Sequence, residues 1–172
     1  MTPRTLPLLL LPFLLSGSCQ KQERKATNFE MGEKIELGPF NYTVVESAWR
    51  NQLGEGFAVR SPQNRFLLIS ISVTNQGSEE AAVPLLSVEG ANGQLYQELS
   101  DGAGVTNWLG LLRLLQPAQT LQGRLVFDVP LGSYRLRLAD GGRTGYEKYA
   151  WVEIPLRLDS EPVHTPLPGM GN

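Results

Sequence analysis

From Ile35 onward, apolar and polar positions alternate in short runs separated by turn residues. The plainest run is 65–75, where Leu67, Ile69, Ile71 and Val73 fall on one side and Leu68, Ser70, Ser72 and Thr74 on the other. A period of two residues marks a strand with one face buried, and Asn75-Gln76-Gly77-Ser78 closes it with turn chemistry. Asn41–Trp49 is rich in β-branched and aromatic residues and follows the Gly38-Pro39 break. Runs 85–89 and 94–97 flank Gly90-Ala91-Asn92-Gly93, whose Asn-Gly pair predicts a hairpin. Gly123–Val129 places Leu125, Phe127 and Val129 on an inner face and stops at Pro130; Tyr134–Leu138 alternates again before the Asp140-Gly141-Gly142 turn. A last run, 150–158, puts Ala150, Val152, Ile154, Leu156 and Leu158 on one side, with Pro155 marking an edge strand or a bulge. Only Val105–Leu115 leaves helical turn and strand open, being strongly apolar and short. Many short strands without alternating helices predict an all-β domain over 31–158, an antiparallel sandwich or barrel.

The first residues follow a different logic. Arg4 precedes the apolar run Leu6–Leu15, then come the small residues Ser16-Gly17-Ser18 and Cys19. A charged start, a short apolar stretch and small residues at a cleavage point describe a signal peptide over 1–18. The run falls short of the ~20 apolar residues that span a bilayer, and Pro7 and Pro12 interrupt it. The junction resembles the bacterial lipobox, in which the cysteine is acylated, although Ser16 stands where that pattern has an aliphatic residue and Leu15 lies one step further out. The competing reading is an ordinary signal peptide cleaved near Ser18. Lipidation of Cys19 accounts for the chain's one cysteine. Residue 20 is Gln rather than Asp, which by resemblance to diderm sorting rules implies the outer membrane if the host is diderm. The expected organisation is 1–18 signal peptide, 19–30 lipidated cysteine and tether, 31–158 sandwich and 159–172 a Pro- and Gly-rich disordered tail. Lys21, Arg24 and Lys25 in the tether suit a solvated linker or contact with anionic headgroups.

Composition narrows the chemistry. Hydrophobic residues make up 41% and charged residues 19%, a globular balance. Fifteen basic against seventeen acidic residues give a net charge of −2, with none of the basic excess that nucleic-acid phosphates demand. A single cysteine excludes an intrachain disulfide and a cysteine-rich zinc site. His164, the sole histidine, stands in the tail, whereas a catalytic triad needs its base on a rigid scaffold and a metal centre needs several ligands together. No catalytic residue, metal or cofactor is therefore expected. A carboxylate pair such as Asp128 with Glu98 or Asp101 is conceivable, but sequence spacing fixes no separation for it. The Asn41-Tyr42-Thr43 sequon carries no weight in a bacterial lipoprotein.

Two blocks then carry a family resemblance. Asn64–Glu80 is a strand ending in Thr-Asn-x-Gly, and Leu115–Pro130 reads Leu-Gln-Pro-Ala-Gln-Thr-Leu-Gln-Gly-Arg-Leu-Val-Phe-Asp-Val-Pro. Together they resemble uncharacterised bacterial extracellular immunoglobulin-like domains, grouped with immunoprotective secreted antigens, over roughly 31–138. Ala118 replaces the glycine usual in that family after Pro117. The resemblance implies an immunoglobulin-like antiparallel β-sandwich on secreted or lipid-anchored proteins and supplies no catalytic residues.

Within that frame the candidate site is Trp108, Leu111 and Leu112. They form either a crossover packed into the core or an exposed apolar loop that meets lipid, a peptide or another protein. Arg135 and Arg137, outward on their strand, could face acidic partners. The expected function is a membrane-anchored extracytoplasmic lipoprotein of the cell envelope, acting as a non-enzymatic protein-binding or envelope-assembly module. Its partners would be membrane lipid through acylated Cys19 and an envelope protein. The rival is a periplasmic carrier or chaperone for a small apolar ligand, with a cavity lined by Trp108, Leu111 and Phe127. A hydrolase is the third class.

Overall fold

A computed structural model describes residues 28–143 and 145–157. The signal peptide, Cys19, most of the tether, Leu158 and the tail with His164 lie outside the described residues. Within them the strands are β1 (Asn28–Phe29), β2 (Lys34–Leu37), β3 (Phe40–Arg50), β4 (Arg65–Asn75), β5 (Ala81–Ala82), β6 (Ser87–Gly90), β7 (Leu95–Gln97), β8 (Leu114–Leu115), β9 (Thr120–Val129), β10 (Tyr134–Ala139) and β11 (Tyr149–Ile154). The one helical piece among these residues is a 3₁₀ turn, Gly56–Ala58.

An antiparallel sheet β2-β3-β4-β9 faces a second sheet, β1-β11-β10-β6-β7. The second is antiparallel except where β1 joins β11 in parallel. The expected period-two faces meet between them: Leu67, Ile69, Ile71 and Val73 pack with Leu125, Phe127, Val129, Leu136, Leu138, Val152 and Ile154 in one cluster. Each such side chain contributes on the order of 1.5–3 kcal/mol by leaving water. Of the two architectures that alternation leaves open, sandwich and barrel, the chain forms the β-sandwich, as the family resemblance implies.

One extra residue sets the parity of β3. Phe40, Tyr42 and Val44 point inward, the register with β4 then shifts between Val44 and Glu46, and Val45 bulges out 60% exposed. Beyond the bulge, inward positions become odd, so Trp49 reaches the same core and its ring lies 6.1 Å from that of Tyr134. Without the bulge its indole would face the other way.

Three boundaries differ from expectation. Pairing begins at Asn28, ahead of residue 31, because Phe29 packs on the core opposite Val152. The last strand ends at Ile154, and it lies between β1 and β10 rather than at an edge. Pro155, with no N–H to give, stops it, and Leu156 beyond is 40% exposed instead of sharing the inner face. Val105–Leu115 is neither a helix nor one strand. It runs along the free edge of β9, where Leu109 N–H donates to Arg124 O and Arg124 N–H to Asn107 O, and then becomes β8, paired with β5. Covering that edge removes a row of open backbone groups.

The sandwich has two distinct ends. At the first, the β2–β3 turn touches the β10–β11 hairpin: Tyr42 Oη donates to Ala139 O, and a Cβ at Gly38 would stand 2.6 Å from that of Asp140. The opposite end carries the 51–64 loop with the 3₁₀ turn.

Candidate functional site

The stretch Leu111-Leu112-Arg113-Leu114-Leu115 folds against simple hydropathy. Arg113 goes inside and its neighbours go out. Both Arg113 and Glu98 side chains have no exposure. Arg113 Nη1 donates to Glu98 Oε1 at 3.0 Å, and Nη2 donates to Oε2. Arg113 Nε donates to Gly110 O at 2.5 Å, and Glu98 Oε1 also accepts the Leu86 N–H at 2.7 Å. The forked guanidinium matches the two carboxylate oxygens, which is the geometry that lets a buried charge pair persist. The Arg113 carbonyl in turn accepts from Val83 N–H.

With Arg113 pinned, alternation places Leu112 and Leu114 outward at 96% and 60% exposure, while Leu109 and Leu115 are buried. Leu111 is 37% exposed. Trp108 belongs elsewhere. It is half-buried against Leu53, Phe66, Leu68 and Val126, a satellite core on the outer face of the four-stranded sheet. Its ring closes on Gly102, and its indole N–H has no acceptor among the described residues. The candidate trio therefore divides: Trp108 packs under loops, and Leu111 and Leu112 stand on the surface with Leu114. Phe127 lies in the main core, so Trp108 and Phe127 pack in separate clusters.

The acids considered for chemistry are each occupied separately. Glu98 is held by Arg113, Asp101 accepts from Arg60 at 2.8 Å, and Asp128 accepts the Gln63 and Asn64 N–H groups at 2.6 and 2.8 Å. Arg135 pairs with Glu89 and stacks over Trp151. Burial raises the Tyr42 phenol well above its usual range, with Arg113 opposing and Asp140 adding to the rise. Burial also raises Tyr134. No group of three or more potential metal ligands occurs among the described residues.

Sequence reasoning missed Arg113 and Asn75. Asn75 is wholly buried; its Nδ2 donates to Glu79 O and Leu115 O, and its Oδ1 accepts Gly77 N–H. That carboxamide is the physical content of the Thr-Asn-x-Gly ending, because it ties the turn after β4 to β8. The signal for Arg113 was present too: a lone cation inside a leucine run must find an acid if the leucines around it are strand-like.

Fold and site together define a β-sandwich module bearing an apolar shoulder over a buried ion pair. The chain belongs to the family described as Domain of unknown function (DUF4352), which matches residues 29–148. Its fold is similar to that of the Bacillus subtilis yjhA protein, at 16% identity and TM-score 0.58, with 73% of this chain and 98% of that one covered. It is also similar to MPT63, a secreted protein of Mycobacterium tuberculosis, at 14% identity and TM-score 0.52, covering 76% and 97%. A third likeness is to the candidate lipoprotein ycdA of Bacillus subtilis, at 12% identity and TM-score 0.51, covering 70% and 38%. No curated protein matches the chain. The expected likeness to secreted sandwich proteins thus holds at the level of the fold.

Proposed function

We propose that this chain is a membrane-anchored extracytoplasmic lipoprotein, acylated at Cys19, that binds a protein partner in the cell envelope without performing chemistry. The observation that carries the reading is the shoulder of Leu111, Leu112 and Leu114, held in water by Arg113. Burying an ion pair costs several kcal/mol of desolvation per charge, and here the pair fixes apolar side chains where hydrophobic burial alone would not leave them. Exposed apolar clusters on a rigid scaffold are the usual form of a docking site. The secreted and candidate-lipoprotein neighbours support an address outside the cytoplasm. The carrier reading is weaker, because Trp108 and Phe127, two of its three lining residues, pack in separate clusters.

A photoreactive amino acid at Leu112, compared with one at exposed Glu36 on β2, tests the site in intact cells. A discrete adduct from position 112 alone, lost when Leu114→Ser is added, is the expected result. Identical adducts from both positions, or none, refute the shoulder. Palmitate incorporation that is unaffected by Cys19→Ala would refute the anchor.

A further inference from the structure

We infer that the end of the sandwich carrying the β10–β11 hairpin rests on the bilayer surface, so that the hairpin and the cleft beside it touch anionic headgroups. The inference rests on acylation of Cys19, proposed above, and adds an orientation and a second contact to it.

Connectivity supplies the first argument. β1 pairs in parallel with β11, Asn28 opposite Trp151 and Phe29 opposite Val152. The chain therefore enters β1 from the side of the hairpin that precedes β11. Residues 20–27 separate Asn28 from Cys19, a reach of roughly 30 Å at full extension. β3 alone, with eleven residues, is about 35 Å long. Bringing the opposite end, with Phe57, to the membrane would need the tether stretched along nearly the whole domain. Bringing the hairpin there needs only slack.

The surface at that end supplies the second. Tyr146 is 76% exposed at the hairpin, and Leu85 and Tyr149 line a cleft of about 370 Å³ with Pro84, Arg137 and Gly141. The Arg137 guanidinium lies 4.7 Å from the centre of the Tyr149 ring and forms no ion pair with any described residue. Arg143 and Lys148 are exposed on the same hairpin. Two acids share this end: Asp140 accepts the Gly142 and Lys148 N–H groups, and Glu147, which lines the cleft with Arg137, accepts the Gly145 N–H. Glu79 and Glu80 are exposed in the turn after β4, so the contact tilts toward the hairpin and away from that corner. Tyrosine with cations beside it suits the boundary between headgroup and acyl chain.

Acylation consumes the only native thiol, so an introduced cysteine is the sole labelling site. Full-chain lipoproteins carrying Tyr146→Cys or Phe57→Cys, each labelled with an environment-sensitive fluorophore, are reconstituted into vesicles of phosphatidylethanolamine and phosphatidylglycerol containing a nitroxide lipid. Flotation of each variant is read alongside quenching. The expected result is that both chains float and that position 146 is quenched several-fold more than position 57. Adding Arg137→Gln, or using phosphatidylcholine alone, lowers quenching at 146. Chains that float with equal quenching at both positions, or more at 57, overturn the orientation while leaving the anchor intact. Quenching at 146 that is indifferent to Arg137 and to lipid charge overturns the headgroup contact. Chains that do not float overturn the anchor, and the orientation with it.

Discussion

Arg113 and Glu98, fifteen positions apart, meet as a forked ion pair with neither side chain exposed to solvent. Removing one partner leaves a buried charge alone, so Arg113→Ala or Glu98→Ala should cost about 3–5 kcal/mol. The double change Arg113→Met with Glu98→Leu should recover much of that. Recovery stays incomplete because the Leu86 N–H loses the acceptor it has in Glu98, at about 1–3 kcal/mol. Urea unfolding of the four chains measures this. Single variants with the native midpoint would mean that the pair contributes nothing.

Ala118 sits at φ 63°, a left-handed conformation that its Cβ disfavours. The turn holds it there because Ala118 N–H donates to Asn75 O and Gln119 N–H to Gln116 O. Glycine removes about 1–2 kcal/mol of left-handed strain and returns about 0.4–1 kcal/mol through unfolded-chain entropy. Ala118→Gly should therefore raise stability by up to about 1.6 kcal/mol, read as a small rise in thermal midpoint. Ala118→Val should lower it, since branching at Cβ worsens the same clash. A glycine variant that melts earlier would refute the strain.

These two sites mark where the sequence was informative and where it was silent. Alternation located β4, β9 and β10, because a strand with one wet face writes its parity into every second residue, and the Asn92-Gly93 turn pair located the β6–β7 hairpin. The parity of Trp49 was not legible, since the Val45 bulge adds a residue without changing composition. Leu112 and Trp108 looked alike in an apolar run, and only the ion pair, formed between distant positions, decides which is exposed. Ala118 could be flagged by its departure from a familiar pattern, yet its φ comes from Asn75, a contact between blocks.

Gly102 is required by the satellite core. A Cβ there would stand 2.0 Å from Cδ2 of Trp108, and a half-buried indole cannot swing aside as a long flexible chain could. Gly102→Ala should displace the ring from Leu53, Phe66, Leu68 and Val126, at about 1–3 kcal/mol of overpacking. The urea midpoint should fall and tryptophan emission should shift to the red. An unchanged midpoint with unchanged emission would mean that the ring is not confined.

Tyr42 sets the alkaline limit. Its hydroxyl donates to Ala139 O inside the sandwich, and burial raises its pKa from the ordinary value of 10.0. Burial raises Tyr134 as well, with Tyr96 adding to the rise. Above about pH 10 an unfolded chain releases these protons while the folded chain retains them, so the unfolded state binds fewer protons and stability falls as pH rises. Below that point the contribution is fully present. For Tyr42 the slope can reach about 1.4 kcal/mol per pH unit. Tyr42→Phe should cost about 1 kcal/mol at neutral pH through the lost hydrogen bond, yet flatten the decline above about pH 10, leaving the share that Tyr134 supplies. Urea midpoints measured between about pH 8 and 11, with tyrosinate absorbance followed in parallel, test it. An identical alkaline slope in the two chains would remove Tyr42 from the account.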